Sequence, residues 1–472
     1  MRGCPAGISG KMAAFPGRRP RNAHHARMQR AALIAVTAAC QAAAGAWGAE
    51  GPPVRWRPLG VLEAASADPA AVGPCVAFGP DGRLRIGPSR DMDVGDGPAR
   101  VQAVTLPPAW PSDAAAWMAL THPGADRTAG IGAAIACTAR VVALGAPHAG
   151  CGQDACDAGQ VLLHVPGQRG ATILAPPSTE PGAQFGAAVA AARDLLAVGS
   201  PRADGGPDAV DAGTVDVFDI TAGPDGTLHA RPIARLVPPT QSTSGRFGTS
   251  IATDGDRIAV GEPGAGTGTP RPGAVHVFRR HGGAWRLEVT LRASAGAVGW
   301  HGAAVALAGV NLLVGAPVAR PWGAGTPRVG AVEHWQLSPA GWRRVRTISP
   351  DDAASDGAGF GSALAILGDT AAIGSPGDDL LGEDAGAAYV CDLATGRADR
   401  LEAQRAGMGD GLGASLSFGL VPGLDREHAR LVLAVAGRRD PESAPQPGTV
   451  ECFTPGPLRL AGARGSRLRH LA

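Results

Sequence analysis

The chain has 472 residues, a formal net charge of +2, and a turn-rich composition with 70 glycines and 41 prolines. So balanced a charge gives no electrostatic case for nucleic acid, and a 44% hydrophobic content in segmented runs argues against disorder. Lys11 is the only lysine, which removes Schiff-base and Walker-type phosphate chemistry from everything downstream of it.

Residues 1–49 read as a targeting segment. Met28-Gln-Arg30 precedes the apolar run Ala31 to Val36 and an alanine-rich stretch, the pattern of a signal peptide cleaved between Ala44 and Ala49. A secreted, periplasmic or cell-envelope location is the expectation. Thr37-Ala38-Ala39-Cys40 is similar to a lipoprotein box with Thr where Leu is usual, so lipid anchoring at Cys40 is the alternative. No other stretch has 18 uninterrupted apolar residues, and no membrane span is expected after processing.

From residue 50 to 460 one unit recurs. A bulky residue and a Gly are followed by an alanine-rich apolar run, an apolar-Gly-small-Pro tetrad, a variable loop, and a Gly leading into an alternating strand. The copies are Ile131-Gly132 with Gly145-Ala146-Pro147, Phe185-Gly186 with Gly199-Ser200-Pro201, and Phe247-Gly248 with Gly261-Glu262-Pro263. His301-Gly302 with Gly315-Ala316-Pro317, Phe360-Gly361 with Gly374-Ser375-Pro376, and the looser Leu412-Gly413 with Ala436-Gly437 follow. Val72-Gly73 with Gly87-Pro88 is a degenerate copy upstream. Leading glycines 52 to 62 residues apart belong to a repeat architecture rather than to one globular core.

Each unit reads as four short antiparallel strands. The first holds the Phe-Gly pair, the second ends at the Pro, which cannot donate to a ladder, and the third begins at the later Gly. The fourth is clearest from Trp285 to Leu291, where Trp285, Leu287, Val289 and Leu291 alternate with Arg286, Glu288 and Thr290 and are expected on one face. Seven four-stranded sheets that cannot bury their faces alone close into an all-β, seven-bladed propeller. The expected blades are 71–122, 128–176, 183–238, 244–294, 298–349, 357–404 and 409–455, with a disordered tail at 461–472. The last unit lacks its own Trp-bearing fourth strand. Trp56 and Leu62 repeat the six-residue spacing of Trp285 with Leu291 and of Trp342 with Ile348, so residues 54–62 are predicted to complete the seventh blade.

These paired segments resemble FG-GAP repeats, the units of the integrin alpha-subunit propeller, and particularly the bacterial secreted proteins built mainly from them. The resemblance covers residues 54 to 455. It implies a seven-bladed propeller and a role in adhesion or recognition, and no reaction. The Asp-rich loop of calcium-binding integrin blades is missing. Its place is taken by Ala192-Arg-Asp194, Asp254-Gly-Asp-Arg257 and Gly368-Asp-Thr370, which read as tight turns. The nearest approach to a calcium loop is Asp91, Asp93 and Asp96, whose spacing departs from the motif. No cofactor is expected, with calcium at those three acids as the alternative.

Without Cys4 and Cys40, six cysteines remain for an oxidising compartment. Cys151 and Cys156 in one loop are expected to form a local disulfide, with a zinc site including His148 as the alternative. Cys75 with Cys137, and Cys391 with Cys452, occupy equivalent strands of neighbouring units and are open to bridging or to burial as free thiols.

No Gly-x-Ser-x-Gly elbow, His-Glu-x-x-His or histidine cluster occurs. Acidic pairs such as Asp351-Asp352, Asp378-Asp379 and Glu383-Asp384 leave a hydrolase or lyase acting on an extracellular polymer as the rival reading. In a meander blade the second-to-third and blade-to-blade connections share one face, and the long variable loops all fall there. Arg202, Asp204, Arg320, Trp322, Arg328, Asp378, Asp379 and Glu383 are the expected binding-face residues, with Trp322 as anchor. The expectation is an exported, monomeric, non-catalytic recognition, adhesion or scaffold module. With Tyr389 the only tyrosine and aromatics at 4%, an extracellular or envelope protein is favoured over glycan as partner.

Overall fold

The computed structural model describes residues 55–62, 75–87, 101–110, 115–120, 129–150, 157–166, 168, 170–223, 227–266, 271–293, 299–319, 327–350, 355–422, 429–437 and 449–456. The targeting segment, the 461–472 tail, Cys40, Asp91, Asp93, Asp96, Cys151, Cys156, Arg320 and Trp322 lie outside the described residues. Twenty-eight strands and no α-helix occur among those described.

The strands form seven four-stranded antiparallel sheets. In blades 1 to 6 the strand order follows the chain, over residues 76–120, 134–174, 188–236, 250–292, 304–348 and 363–400. Blade 7 combines Leu412–Pro422, Ala429–Gly437 and Val450–Pro455 with Trp56–Leu62 as its outermost strand. Trp56 pairs with Pro455 and Leu62 with Val450, so the two ends of the propeller share one sheet as the tryptophan spacing predicts. The first strands of successive blades touch one another around the ring.

Apolar burial lies between blades. Seven clusters each draw on two neighbouring sheets, as where Val161 and Leu163 of blade 2 meet Phe185, Leu196 and Phe218 of blade 3. Another seals the ring between blade 7 (Val432, Val450, Leu62) and blade 1 (Leu84, Ile86, Val104). No blade owns a core, which is why the unit must recur to fold.

In blades 2 to 6 the Phe-Gly pair precedes the first strand in which it is expected, whereas in blade 7 Leu412-Gly413 opens that strand. In blade 3 that strand begins at Ala188, and Phe185-Gly186 forms the turn before it. The Phe185 amide donates to Ala158 O at 2.9 Å, in a parallel bridge to Gly159 of the preceding blade. Gly273 with His301, Gly330 with Phe360 and Gly386 with Leu412 repeat the bridge. Gly186 has φ 92°, a left-handed conformation outside regular strand geometry that a side chain resists. Its carbonyl lies against Gly145, where a Cβ would meet that oxygen; Gly199, Gly261, Gly315 and Gly374 face the carbonyls of Gly248, Gly302, Gly361 and Gly413 in the same way.

The tetrad glycine therefore makes room for the next blade's backbone. Because the obstacle is main chain and cannot rotate away, Gly374→Ala is expected to destabilise by about 3 kcal/mol in urea unfolding. Gly170→Ala, with open space around it, is expected to be neutral or better.

The fourth strands also differ from simple alternation. In Ala284–Arg292 the register shifts where Val277 pairs with Val289 but Phe278 pairs with Leu287, leaving Glu288 as the extra residue of a bulge. Trp285 consequently packs on the blade 3 side and Val289 and Leu291 on the blade 5 side, while Leu287 is 41% exposed. Blade 5 does the same with Trp342 and Ile348, and blade 7 with Trp56 and Leu62. The six-residue spacing thus marks a strand that grips both neighbouring interfaces.

Candidate functional site

Along the ring axis runs a cavity of about 880 Å³ lined by the first strands of all seven blades. Val76, Ala134, Ala188, Ser250, Ala304, Ala363 and Ser415 represent the seven blades, and Asp384 is the only charged lining residue among those described. Its wall is mostly small apolar side chains, interrupted by the polar Cys75, Ser250, Ser362 and Ser415.

The chemistry lies under the long-loop face. One third-strand position, paired across to Val198, Val260, Val314, Ile373 and Val435, carries Asp216, His276, Glu333, Tyr389 and Glu451 in blades 3 to 7. All five are at most 4% exposed, and a buried polar group is costly unless paired. Each blade satisfies it differently.

Asp216 takes a two-pronged bond from Arg235 at 2.8 and 3.0 Å, and this partner pushes the guanidinium pKa up. His276 Nε2 lies 2.7 Å from Glu262 Oε2, with Nδ1 at 3.0 Å from Thr290 Oγ1. Glu262 is the residue that turns this blade's Gly-small-Pro into Gly-Glu-Pro. Glu333 accepts from Trp335 Nε1 at 3.0 Å and Arg344 at 3.3 Å, and sits 3.0 Å from His301 Nε2. His301 occupies the position of the Phe in neighbouring repeats, so the ring swap and the buried acid belong together. Glu451 accepts the amides of Gln404 and Arg405 at 2.8 Å each, fastening the blade 6–7 connection. Burial pushes the Glu451 carboxyl up, and those two amides oppose the shift.

In blade 6 the network reaches a loop. Tyr389 Oη lies 3.4 Å from Asp378 Oδ2, and Arg400 donates to Asp378 at 2.6 and 2.9 Å. Asp378 is 1% exposed. It is therefore an internal strut and not, as its sequence context suggests, a displayed binding residue. The Asp378-Asp379 pair is split between interior and surface, so its two carboxylates do not face one substrate. Asp379 and Glu383 are exposed.

Arg202 and Asp204 are exposed on the blade 3 loop. Arg202 meets Asp211 at 3.4 Å, and Asp204 accepts the Asp211 amide at 2.8 Å while its own amide donates to Glu180 at 2.7 Å. The exposed Arg328 donates its amide to Asp356. These three brace loops, and Arg328 is linked to Asp379 through neighbouring residues, Asp356 pairing with Arg328 while Ser355 Oγ accepts the Asp379 amide at 3.3 Å. Among the described residues, no three His, Cys, Asp or Glu side chains converge as metal ligands.

The residue before each Phe-Gly pair has positive φ around the ring. Gly130, Gln184, Arg246, Trp300, Gly359 and Gly411 hold it at 54 to 72°. A bulky residue is a genuine outlier there, yet Trp300 occupies the position and is 52% exposed on the long-loop face.

The FG-GAP repeat family matches residues 231–278 and 342–391. Each match runs from the fourth strand of one blade through the third strand of the next, the same offset that lets Trp56–Leu62 finish blade 7. The chain carries FG-GAP repeats within a seven-bladed β-propeller. Among solved structures, a chain of "Crystal Structure of Mitotic Checkpoint Complex" is similar at 11% identity and a TM-score of 0.46, covering 95% of this chain and 98% of its own. No curated protein sequence matches the FG-GAP propeller described here.

The four described cysteines of this FG-GAP propeller, Cys75, Cys137, Cys391 and Cys452, are free thiols. Of the two options their spacing left open, the unbridged thiol is the one realised, buried at Cys391 and Cys452 and half-buried at Cys75 and Cys137. Burial pushes Cys75 up to about 11 and Cys137 and Cys391 up to about 12, so none is poised as a nucleophile. No helix among the described residues is long and apolar enough to cross a membrane.

Proposed function

We propose that this FG-GAP propeller is an exported, monomeric recognition module that binds an extracellular or envelope protein through its long-loop face and catalyses no reaction. Trp300 carries the reading. Equivalent positions hold Gly130, Gln184, Arg246, Gly359 and Gly411 at the same positive φ, and Trp300 is the aromatic residue among them, keeping a large ring half in water. The backbone conformation belongs to the turn in each of these blades, but the exposed ring does not serve the fold and suits an aromatic anchor. The buried struts beneath supply rigid support, which lowers the entropy cost of binding.

Trp300→Gly separates fold from function. Relief of the backbone strain is expected to raise stability by about 1 kcal/mol in thermal unfolding. Capture of an envelope or extracellular partner on immobilised protein is expected to weaken by at least about tenfold. Unchanged capture together with unchanged stability would remove Trp300 as the anchor.

A further inference from the structure

We infer that the joint between blades 6 and 7 on this face receives a cationic, leucine-bearing peptide segment of a partner protein; the inference rests on the recognition reading above. Leu380 and Met408, 67% and 64% exposed, are the two most exposed large apolar side chains among the described residues, and Leu381 is 49% exposed. They converge. Gly382 packs against the backbone of Met408, and the amides of Gly409 and Gly411 donate to the carbonyls of Glu383 and Asp384 at 2.8 Å each.

The platform is held in shape from below and within. The Asp378 strut accepts the Leu380 amide at 3.0 Å, and Asp379 Oδ1 accepts the Asp384 amide at 2.8 Å. An apolar surface kept rigid and dry on one side only is incomplete without an occupant. Charge says which. Over residues 376–386 and 401–411, Asp379, Glu383, Asp384 and Glu402 are exposed acids and Arg405 is the one base, while Asp378 is already neutralised by Arg400. Such a rim repels nucleic acid and acidic glycans and draws in arginine or lysine, while the centre takes leucine-like side chains.

The test titrates the full chain with a fluorescent peptide alternating leucine and arginine. One control replaces leucine by serine and another replaces arginine by glutamate. The leucine–arginine peptide is expected to bind at least about tenfold tighter than either control, more weakly as salt rises. Leu380→Ser with Met408→Ser is expected to abolish the preference over the serine control, and Glu383→Gln to reduce the salt dependence. Equal binding of the serine control, or indifference to all three substitutions, would overturn the inference. Partner capture lost with Trp300→Gly but intact in the Leu380 and Met408 variants would overturn it too, while leaving the recognition reading in place.

Discussion

Deletion of residues 51–63 is expected to open the ring and lower stability by about 5 kcal/mol, from loss of the buried apolar surface of one strand that serves two interfaces. Trp56 packs on Phe418 with ring centroids 5.9 Å apart at the blade 6–7 joint, while Leu62 is buried at the blade 7–1 joint. Its removal also bares the edge of Val450–Pro455, with Cys452 and Phe453 losing their cover, and a bare apolar edge invites association. Urea unfolding should show the shortfall and light scattering the association. A synthetic peptide of residues 51–63 added in trans is expected to restore both, since the partner strand is already in register. A truncated chain that unfolds at the full-length midpoint would show that closure does not hold the ring.

Asp378→Ala is expected to cost about 3–5 kcal/mol, because it strands the Arg400 guanidinium, whose side chain is 19% exposed, against Tyr389 without its counter-charge. Glu383→Ala, five residues along the same loop but exposed, is expected to stay within about 0.5 kcal/mol. Replacing both partners at once, Asp378→Leu with Arg400→Met, should recover most of the loss, as apolar replacements of buried ion pairs do. Equal midpoints for Asp378→Ala and Glu383→Ala in urea would refute the strut assignment.

The ring, its seven units and the closing strand are all legible in the amino-acid order, because they repeat and because Trp56 and Leu62 copy a spacing seen elsewhere. What is not legible is why the marks are there. The paired glycines look like concessions to crowding at the axis, yet Gly145 and Gly186 meet each other across a blade joint. Trp285 and Leu291 look like neighbours on one face, and the bulge at Glu288 sends them to opposite ones. The buried struts escape for a different reason. Asp216, His276, Glu333, Tyr389 and Glu451 share a position but no chemistry, and their partners come from the fourth strand, the Phe position, the tetrad or a loop amide. The Glu of Gly261-Glu262-Pro263 and the His of His301-Gly302 were the available signals, two departures from the repeat lying close to one joint. Asp378 reads as a loop acid because nothing in its vicinity announces Arg400, 22 residues later.

The joints where a glycine carbonyl of one blade rests on a glycine of the next are built from main-chain atoms alone. That contact is the same at six joints, from Gly87 with Gly132 to Gly374 with Gly413, and independent of what any blade carries on its rim. Variation can accumulate in the exposed loops, and a Phe can give way to a His, without the modules losing the means to find one another. The architecture keeps its assembly code and its display surface in separate parts of the polymer.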